Sequence, residues 1–286
     1  MPLLVIAGVG FAGLATARLF LGAGWEVAGI TQSADSAGRL AAEGIRGIPC
    51  DISQRSAVDA LDLRGADALI HCASSGRGGA DACRAVFLGG CRNLLEALTP
   101  RRFLFTSSTS VYAQTDGSIV DETSPAEPPG ETGRILRASE DLVLQNGGII
   151  ARLAGIYGPG RSVLLRKFLS GEAVIESDGT RIVNQVHRDD IATALLAIIE
   201  RGSPGVFNVC DNTPLPQREL YAWLARHFAR PLPPAGPINP NRKRGWTSKR
   251  VSNSKLRALG WQPRWPSFFD AVLGDPELTA VAQTQG

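Results

Sequence analysis

A glycine-rich loop near the beginning of the chain has the residue types and spacing of a phosphate-binding turn. It follows the apolar stretch Leu3–Ala7, which is typical of a buried strand, and precedes a segment with helical spacing. Glycines in such a turn let backbone amides approach a pyrophosphate, and the positive end of the helix dipole faces the same place. The pattern therefore predicts a dinucleotide site. The residues expected to form it are Gly8, Gly10, Phe11, Ala12 and Gly13.

The residues after the second apolar stretch indicate which nucleotide the site prefers. An Asp or Glu about 20 residues beyond the glycines would accept hydrogen bonds from the ribose 2′-hydroxyl of NAD. This chain instead has the neutral Thr31, Gln32 and Ser33, with Arg39 on the helix that follows. We therefore predict that NADP(H) is preferred, with NAD(H) as a possible second cofactor. Arg39 could face the 2′-phosphate or be a solvated helix residue, and the sequence favours neither alternative over the other.

Asp51 and Ile52 follow the third apolar stretch. At the end of a third parallel strand they would reach the adenine edge of the dinucleotide. Asp51 is also a good helix N-cap residue, and one side chain could serve both purposes. Both alternatives stay open from the sequence.

The composition of the 286 residues excludes several classes of protein. Hydrophobic residues make up 44% and charged residues 20%, which is typical of a globular chain with a sizeable core. The net charge of +3 is too small to indicate a nucleic-acid or acidic-membrane partner. The apolar start reaches Arg18 before about 20 apolar residues accumulate, so we expect neither a signal peptide nor a membrane span. Five cysteines without a C-x-x-C pair, and no cluster with metal-ligand spacing, predict a cytoplasmic protein without a metal.

Short apolar stretches alternate with segments of helical spacing through most of the chain. Strands that are apolar along their whole length are typical of a parallel sheet covered by helices on both faces. The predicted fold is therefore α/β, a Rossmann-type doubly wound parallel sheet with a small C-terminal substrate-binding lobe. The apolar stretches are residues 3–7, 25–30, 45–49, 66–72, 101–106 and 148–154.

The alternation changes after residue 155, and this change suggests the domain boundaries. Residues 1–155 are predicted to form the NAD(P)-binding domain, completed by strands and a helix within residues 181–210. Residues 156–180 and 211–286 are predicted to form the smaller lobe that binds a small-molecule substrate. The helical segment 80–98 is apolar along much of its length. It either pairs with a second subunit, which would give a homodimer, or packs against the core.

Together these segments resemble the extended short-chain dehydrogenases/reductases, the NAD-dependent epimerase/dehydratase family, over nearly the whole chain. Residues 105–112 (FTSSTSVY) are very similar to the S-S-x-x-V-Y segment of that family, which competing glycine-motif families lack at this distance. The resemblance implies that Ser108 hydrogen-bonds the reacting oxygen of the substrate. It also implies that two further segments border the cofactor. These are Cys72, Ala73 and Ser74 after the fourth strand, and Leu153, Ala154 and Gly155 after the sixth.

One part of the family pattern is missing from this chain. The family places Y-x-x-x-K on the helix after the serine strand, where the tyrosine is the acid/base and the lysine lowers its pKa and holds the nicotinamide ribose. The aligned positions hold Thr132 and Leu136, and none of the three tyrosines has a lysine four residues further on. Such a helix resembles the atypical, YeeZ-like group of the superfamily. For that group the resemblance implies the fold and nucleotide binding, but not the reaction.

The proton must then come from another group. Thr132 can hydrogen-bond to a substrate, but its hydroxyl lacks the acidity that a phenol has near neutral pH. Tyr112 could swing toward the substrate as a proton donor, or it could pack beneath the loop that follows it. We therefore take Ser108, Thr132 and Tyr112 as the candidate catalytic residues.

Two functions follow from these residues. The first is an NAD(P)(H)-binding oxidoreductase of the epimerase/dehydratase type, which transfers a hydride to or from a small molecule with atypical acid/base groups. The second is a non-catalytic NADP(H)-binding sensor or regulatory module. The missing tyrosine and lysine favour the sensor. Ser108 and residues 152–160 (RLAGIYGPG), which border the nicotinamide in the family, favour the enzyme.

Overall fold

Seven parallel strands form the centre of the molecule. The computed structural model describes residues 1–76, 78–238 and 245–283. Most residues of these strands are buried, because helices cover both faces of the sheet, but the edge strand Arg46–Pro49 is not. They are β1 (Leu3–Ala7), β2 (Glu26–Thr31), β3 (Arg46–Pro49), β4 (Ala68–His71), β5 (Phe103–Ser108), β6 (Ile149–Leu153) and β7 (Gly205–Val209).

The order across the sheet is β3-β2-β1-β4-β5-β6-β7. The chain runs outward from β1 in one direction and from β4 in the other, so the strand order reverses between these two strands. Crevices that bind ligands in doubly wound folds open at such a reversal, beyond the carboxyl ends of the strands. The predicted α/β fold is confirmed, and the glycine loop lies at the reversal.

Helices connect the strands and form the two outer layers. Short 3₁₀ turns occur at Ala41–Glu43 and Thr109–Val111. The described ranges contain no helix of the length and apolar character that crossing a membrane requires. The helices are α1 (Phe11–Gly22), α2 (Ala34–Leu40), α3 (Arg55–Asp59), α4 (Gly79–Cys83), α5 (Gly90–Leu98), α6 (Glu131–Gln145), α7 (Val163–Leu169), α8 (Arg188–Arg201), α9 (Gln217–His227), α10 (Ser254–Ala258), α11 (Phe268–Gly274) and α12 (Pro276–Gln283).

The helix expected over residues 80–98 is interrupted by a π-helical segment, Arg84–Gly89, between α4 and α5. His71 at the end of β4 contacts this segment, with Nε2 lying 3.0 Å from the carbonyl oxygen of Val86. Phe87 and Leu94 are buried in the large core, so this side of the helix packs against its own chain. The homodimer stays a prediction.

A second, smaller core lies between α7, α9 and α11. The aromatic rings of Tyr157 and Phe268 pack edge to face in it, 4.9 Å apart. Val251 and Trp261, which the sequence assigned to the smaller lobe, pack against the large core instead. Residues 239–244 and 284–286 of the predicted lobe lie outside the described residues. Four pairs of short strands flank the main sheet: Ile182–Val183 with Leu215–Pro216, Gln185–His187 with Gly155–Tyr157, Ala235–Gly236 with Ile175–Glu176, and Arg250–Val251 with Ile119–Val120.

Candidate functional site

A groove of about 590 Å³ runs along the carboxyl edge of the sheet, where the strand order reverses. Most of the residues predicted to bind the cofactor line it, and binding itself stays a prediction. The predicted residues that line the groove are Gly8, Gly10, Phe11, Ala12, Gly13, Thr31, Gln32, Cys72, Ala73, Ser74, Leu153, Ala154 and Gly155.

Two glycines are required by the close packing of the loop. Gly8 has a φ of +95°, and a Cβ on it would lie 2.3 Å from the backbone nitrogen of Ala73. A Cβ on Gly13 would lie 2.2 Å from the carbonyl oxygen of Gly8. These distances are far below van der Waals contact, so neither position can carry a side chain without a shift of the backbone. The first turn of α1 is thereby held directly against β1 and β4.

Gly10 has the opposite surroundings, because a Cβ on it would meet no protein atom within 4 Å. This open space lies at the beginning of α1, whose first turn has no acidic side chain to oppose the positive end of the helix dipole. The guanidinium groups of Arg161 and Arg188 lie 5.2 and 5.3 Å from the centre of the Phe11 ring beside it. Arg161 lines the groove, whereas Arg188 Nε donates to Asp189 Oδ1 at 2.8 Å. Backbone amides, a helix N-terminus and the Arg161 cation around an open cradle fit the pyrophosphate of a dinucleotide.

The adenosine end of the groove differs in part from the prediction. Thr31 and Gln32 line it, but Ser33 and Arg39 do not. Ser33 caps α2, its Oγ accepting a hydrogen bond from the backbone nitrogen of Ser36 at 3.2 Å. Arg39 is exposed, and its Nη2 donates to Ser36 Oγ, also at 3.2 Å. Ser36 itself lines the groove, so the Ser36 side chain lies between Arg39 and the predicted position of a 2′-phosphate.

Asp51 and Ile52 do not line the groove. The Asp51 carboxylate accepts hydrogen bonds from the backbone nitrogen and the hydroxyl of Ser53, at 3.0 and 2.7 Å, and so closes a turn rather than capping α3. The carbonyl oxygen of Ile52 accepts from Asn93 Nδ2 at 2.9 Å. The adenine contact therefore stays a prediction.

Ser108 lies where the nucleotide groove meets a second, larger cavity of about 960 Å³. It is the last residue of β5, and its Oγ accepts a hydrogen bond from the backbone nitrogen of Ser110 at 3.2 Å, which starts the 3₁₀ turn. Ala154, Gly155 and Ile156 also line both spaces. A substrate in the larger cavity would therefore meet the nucleotide at Ser108.

The larger cavity extends from β5 to the small lobe and has a polar lining that the sequence did not reveal. Residues from segments far apart in the chain meet here. The polar side chains that line it are Ser108, Thr109, Ser110, Tyr157, Lys167, Glu172, Glu176, Arg181, Asn184, Gln185, Gln217, Tyr221, Thr247 and Lys249.

The structure corrects the interpretation of Tyr112 as a proton donor. Its side chain is completely buried, and its hydroxyl donates a hydrogen bond to Asn208 Oδ1 at 2.9 Å. Burial raises the pKa of this phenol, and it lines neither the groove nor the cavity. The alternative from the sequence, a tyrosine packed in the interior, describes it better.

A buried ion pair lies behind the serine strand. Arg152 Nε and Nη2 donate to the two carboxylate oxygens of Glu140, at 3.0 and 2.7 Å, and the Ser107 hydroxyl donates to the same carboxylate at 2.6 Å. The Arg152 guanidinium also lies 4.8 Å from the centre of the Tyr112 ring. Because the Ser107 hydroxyl is engaged in this network, Ser108 remains the serine expected to contact a substrate.

Thr132 and Leu136, the two residues of α6 that align with the family's tyrosine and lysine, lie in different surroundings. Leu136 is buried and lines the nucleotide groove, so an apolar chain stands at the position where the family has its lysine. Thr132 is half-buried and lines neither the groove nor the cavity. Thr132 therefore has no contact with either space through which it could move a proton.

His71 and His187 hold backbone segments in place. Burial lowers the pKa of His71 to about 4, so this imidazole is neutral at physiological pH. Nδ1 of His187 accepts a hydrogen bond from Asp189 N at 3.2 Å, and its Nε2 lies 3.0 Å from Asp275 Oδ2. Neither histidine lines the groove or the cavity. In the part of the chain that the structure describes, no three His, Cys, Asp or Glu side chains form a potential metal site.

Several residues that line the groove were not singled out from the sequence. Arg161 has a usable signal, because it directly follows the Gly158-Pro159-Gly160 loop at the nicotinamide side. The others have none, since their positions depend on how strands and helices pack. They are Val9, Ser36, Phe87 and Thr106.

Comparisons with known proteins agree with this architecture. The model of the NAD dependent epimerase/dehydratase family matches residues 3–210. The chain is 31% identical over 236 residues to the protein YeeZ of Escherichia coli K12. This match covers 79% of this chain and 84% of YeeZ. It is 28% identical over 209 residues to the 3-diazoavenalumate denitrifying reductase of a Streptomyces species, covering 64% and 68% of the two chains.

A solved structure shows the same fold over almost the entire length. The DesIV dTDP-glucose 4,6-dehydratase of Streptomyces venezuelae, a double mutant with NAD bound, is 22% identical. The match has a TM-score of 0.82 and covers 99% of this chain and 97% of DesIV. With its parallel sheet, its glycine loop and its serine strand, the chain belongs to the NAD dependent epimerase/dehydratase family.

Proposed function

We propose that this protein is an NAD(P)(H)-dependent oxidoreductase that reduces a small molecule by hydride transfer. The observation that carries the proposal is the position of Ser108, at the junction of a groove suited to a dinucleotide and a large polar cavity. A binding module would need the groove alone. The cavity and the serine have a use when a second molecule reacts beside the nucleotide.

The described residues fit a nicotinamide dinucleotide. The backbone around Gly10 and the Arg161 guanidinium would hold the pyrophosphate, while Thr31, Gln32 and Ser36 would contact the adenosine ribose. Leu153 and Ala154 would border the nicotinamide at the junction with the cavity. When bound, such a cofactor donates or accepts a hydride. Ser108 would orient the reacting oxygen or nitrogen of the substrate by a hydrogen bond.

The side chains present favour reduction over alcohol oxidation. Oxidising an alcohol requires a base that removes the hydroxyl proton as the hydride leaves, and Thr132 and Leu136 stand where the family has its tyrosine and lysine. Reducing an imine or a conjugated double bond depends less on such a base. The Streptomyces relative is named as a reductase, which agrees with this direction.

The reaction can be tested without knowing the natural substrate. We expect the purified protein to oxidise NADPH in the presence of members of a panel of carbonyl and imine compounds. The loss of absorbance of the reduced nicotinamide measures this reaction. Oxidation of simple secondary alcohols at neutral pH should be slower by about 10²–10⁴, the usual effect of a lost general base. Ser108→Ala should lower the rate with every accepted compound, and Thr132→Ala should change it much less.

Two outcomes would contradict this function. Rapid alcohol oxidation that Thr132→Ala abolishes would mean that α6 carries the acid/base after all. Tight nucleotide binding by both the wild type and Ser108→Ala, with no turnover of any compound by either, would support the sensor instead.

The nucleotide preference has its own test. We expect NADP(H) to bind at least as tightly as NAD(H), because the adenosine end has no carboxylate that would repel a 2′-phosphate, and Arg39 lies next to Ser36. Calorimetric titration with both reduced cofactors measures the two affinities. Arg39→Ala should weaken NADPH and leave NADH unchanged. Arg64→Ala, at an exposed arginine outside the groove, is the control. A clear preference of the wild type for NADH would contradict the prediction.

A further inference from the structure

Lys249 is a buried lysine that the proposed mechanism has not yet used. Lys249 is only 4% exposed, and it lines the larger cavity together with Ser108. Its Nζ donates hydrogen bonds to the carbonyl oxygen of Tyr112 and to Thr247 Oγ1, both at 2.8 Å. An ammonium group has three protons, so these two bonds leave one for a molecule in the cavity.

The bond to Tyr112 connects this ammonium group to the segment that follows Ser108. Tyr112 directly follows the 3₁₀ turn Thr109–Val111, and Ser108 is the residue that caps this turn. The lysine is therefore anchored one turn beyond the serine that faces the substrate. Both oxygens that hold Nζ are neutral, and among the described residues no carboxylate forms an ion pair with it.

The surroundings of Nζ favour loss of its proton. Burial, and to a smaller extent the positive charge of Arg181, lower the pKa of Lys249 to about 8. The Arg181 side chain approaches the same segment, its Nε donating to the carbonyl oxygen of Thr247 at 3.2 Å. The other ionisable groups that line the cavity are Tyr157, Lys167, Glu172, Glu176 and Tyr221.

We propose that Lys249 is the catalytic proton donor of this enzyme, in place of the absent tyrosine and lysine pair. The proposal rests on the proposed reductase function. Reduction of a C=O or C=N bond adds a hydride from the reduced nicotinamide cofactor to carbon and a proton to oxygen or nitrogen. The Nζ–H bond of the ammonium breaks, the new O–H or N–H bond forms, and a neutral amine remains. A proton from solvent then restores the ammonium group.

A purely structural role would not require a lysine at this position. A neutral side chain such as glutamine could bridge the Tyr112 carbonyl and Thr247 without the cost of burying a charge that has no countercharge. An amine that both holds and releases a proton near neutral pH is the property that general acid catalysis needs. The two roles predict different results in two experiments.

The first experiment asks whether Nζ is accessible from the cavity and titrates there. The chain has only four lysines, so a brief pulse of acetic anhydride at a series of pH values, followed by peptide mass spectrometry, reports on each one. We expect the acetylation of Lys249 to rise with a midpoint near pH 8 in the folded protein, and near 10.4, the ordinary value, after denaturation. No acetylation of folded Lys249, or a midpoint that denaturation does not change, would overturn the proposal.

The second experiment measures turnover with the compound of the panel that is reduced fastest by the wild type. Lys249→Met should lower kcat by about 10²–10⁴ while the dissociation constant for NADPH stays unchanged. In the wild type kcat should fall as the pH rises through about 8, because the ammonium form is the donor, and Lys249→Met should lose this dependence. Lys255→Met, at a lysine outside both spaces, is the matched control and should behave as the wild type.

Lys249→Arg separates the chemical role from the structural one. Arginine keeps the charge and can donate to the same oxygens, but it does not release its proton in proteins. We expect this variant to remain as slow as Lys249→Met, and wild-type rates in it would overturn the proposal. If the wild type reduces compounds and Lys249→Met does so equally fast, Lys249 is not the donor and the reductase function stands. If the wild type binds no nucleotide or reduces nothing, the proposed function itself fails.

Discussion

Replacing Gly10 with valine should abolish nucleotide binding and leave the protein folded. The Cβ of Gly10 would project into space that no protein atom approaches within 4 Å, at the N-terminus of α1. Two further methyl groups there would occupy the volume in which we place the pyrophosphate. The backbone at Gly10, with a φ of −94° and a ψ of −146°, lies outside the left-handed region that favours glycine. We therefore expect valine to destabilise the fold through its less favourable ψ and a poorer N-cap without unfolding it. Calorimetric titration with NADPH and NADH should show no heat of binding.

The matched control for this variant is Gly22→Ala. Gly22 is the last residue of the same helix, and a Cβ on it also meets nothing within 4 Å. It lies at the opposite end of α1 from the groove, so nucleotide affinity should be unchanged. If Gly10→Val bound NADPH as tightly as the wild type and melted at the same temperature, the pyrophosphate would have to lie elsewhere.

Removing the carboxylate of Glu140 should have the largest effect on stability. Both Glu140 and Arg152 are buried, and the Glu140→Ala variant would leave the Arg152 guanidinium in the interior without its partner. Breaking one side of a buried pair costs about 3–5 kcal/mol, because the remaining charge has neither water nor a counterion. The Ser107 hydroxyl would lose its acceptor as well. We therefore expect a loss of about 3–5 kcal/mol in the free energy of unfolding.

Denaturant unfolding, followed by the fluorescence of the five tryptophans, measures this loss. Glu96→Ala is the control, because Glu96 pairs with Arg55 at the surface, where both side chains are about half exposed. Exposed pairs contribute about 0–1 kcal/mol, so the control should unfold almost as the wild type does. Equal stabilities of the two variants would mean that the contacts of Glu140 contribute no more than those of an exposed pair.

The features that sequence analysis predicted well are local ones. The glycines of residues 8–13 lie next to one another in the chain, and their spacing alone specifies a tight turn between β1 and α1. The six apolar stretches predicted the strands β1 to β6 for a similar reason, since strands covered by helices on both faces need no polar alternation. Ser108 was predicted from a segment that is continuous in sequence.

The features that it missed depend on contacts between distant segments. The hydrogen bond from Lys249 to Tyr112 joins residues 137 positions apart, and no local pattern announces it. The Tyr112 hydroxyl was open to two interpretations because its partner, Asn208, lies 96 positions further along. Arg39 is a local exception, because its Nη2 donates to Ser36 Oγ three residues earlier and Arg39 does not line the groove.

The short parallel pairing of Arg250–Val251 with Ile119–Val120 has a consequence for the order in which the two spaces can form during synthesis. Every residue that lines the nucleotide groove has left the ribosome's active centre once Arg161 is added. The substrate cavity can form only after Gly245, Thr247 and Lys249 have been synthesised and the strand that follows them has paired with Ile119–Val120. A nascent chain can therefore assemble the lining of its nucleotide groove well before it can enclose a substrate.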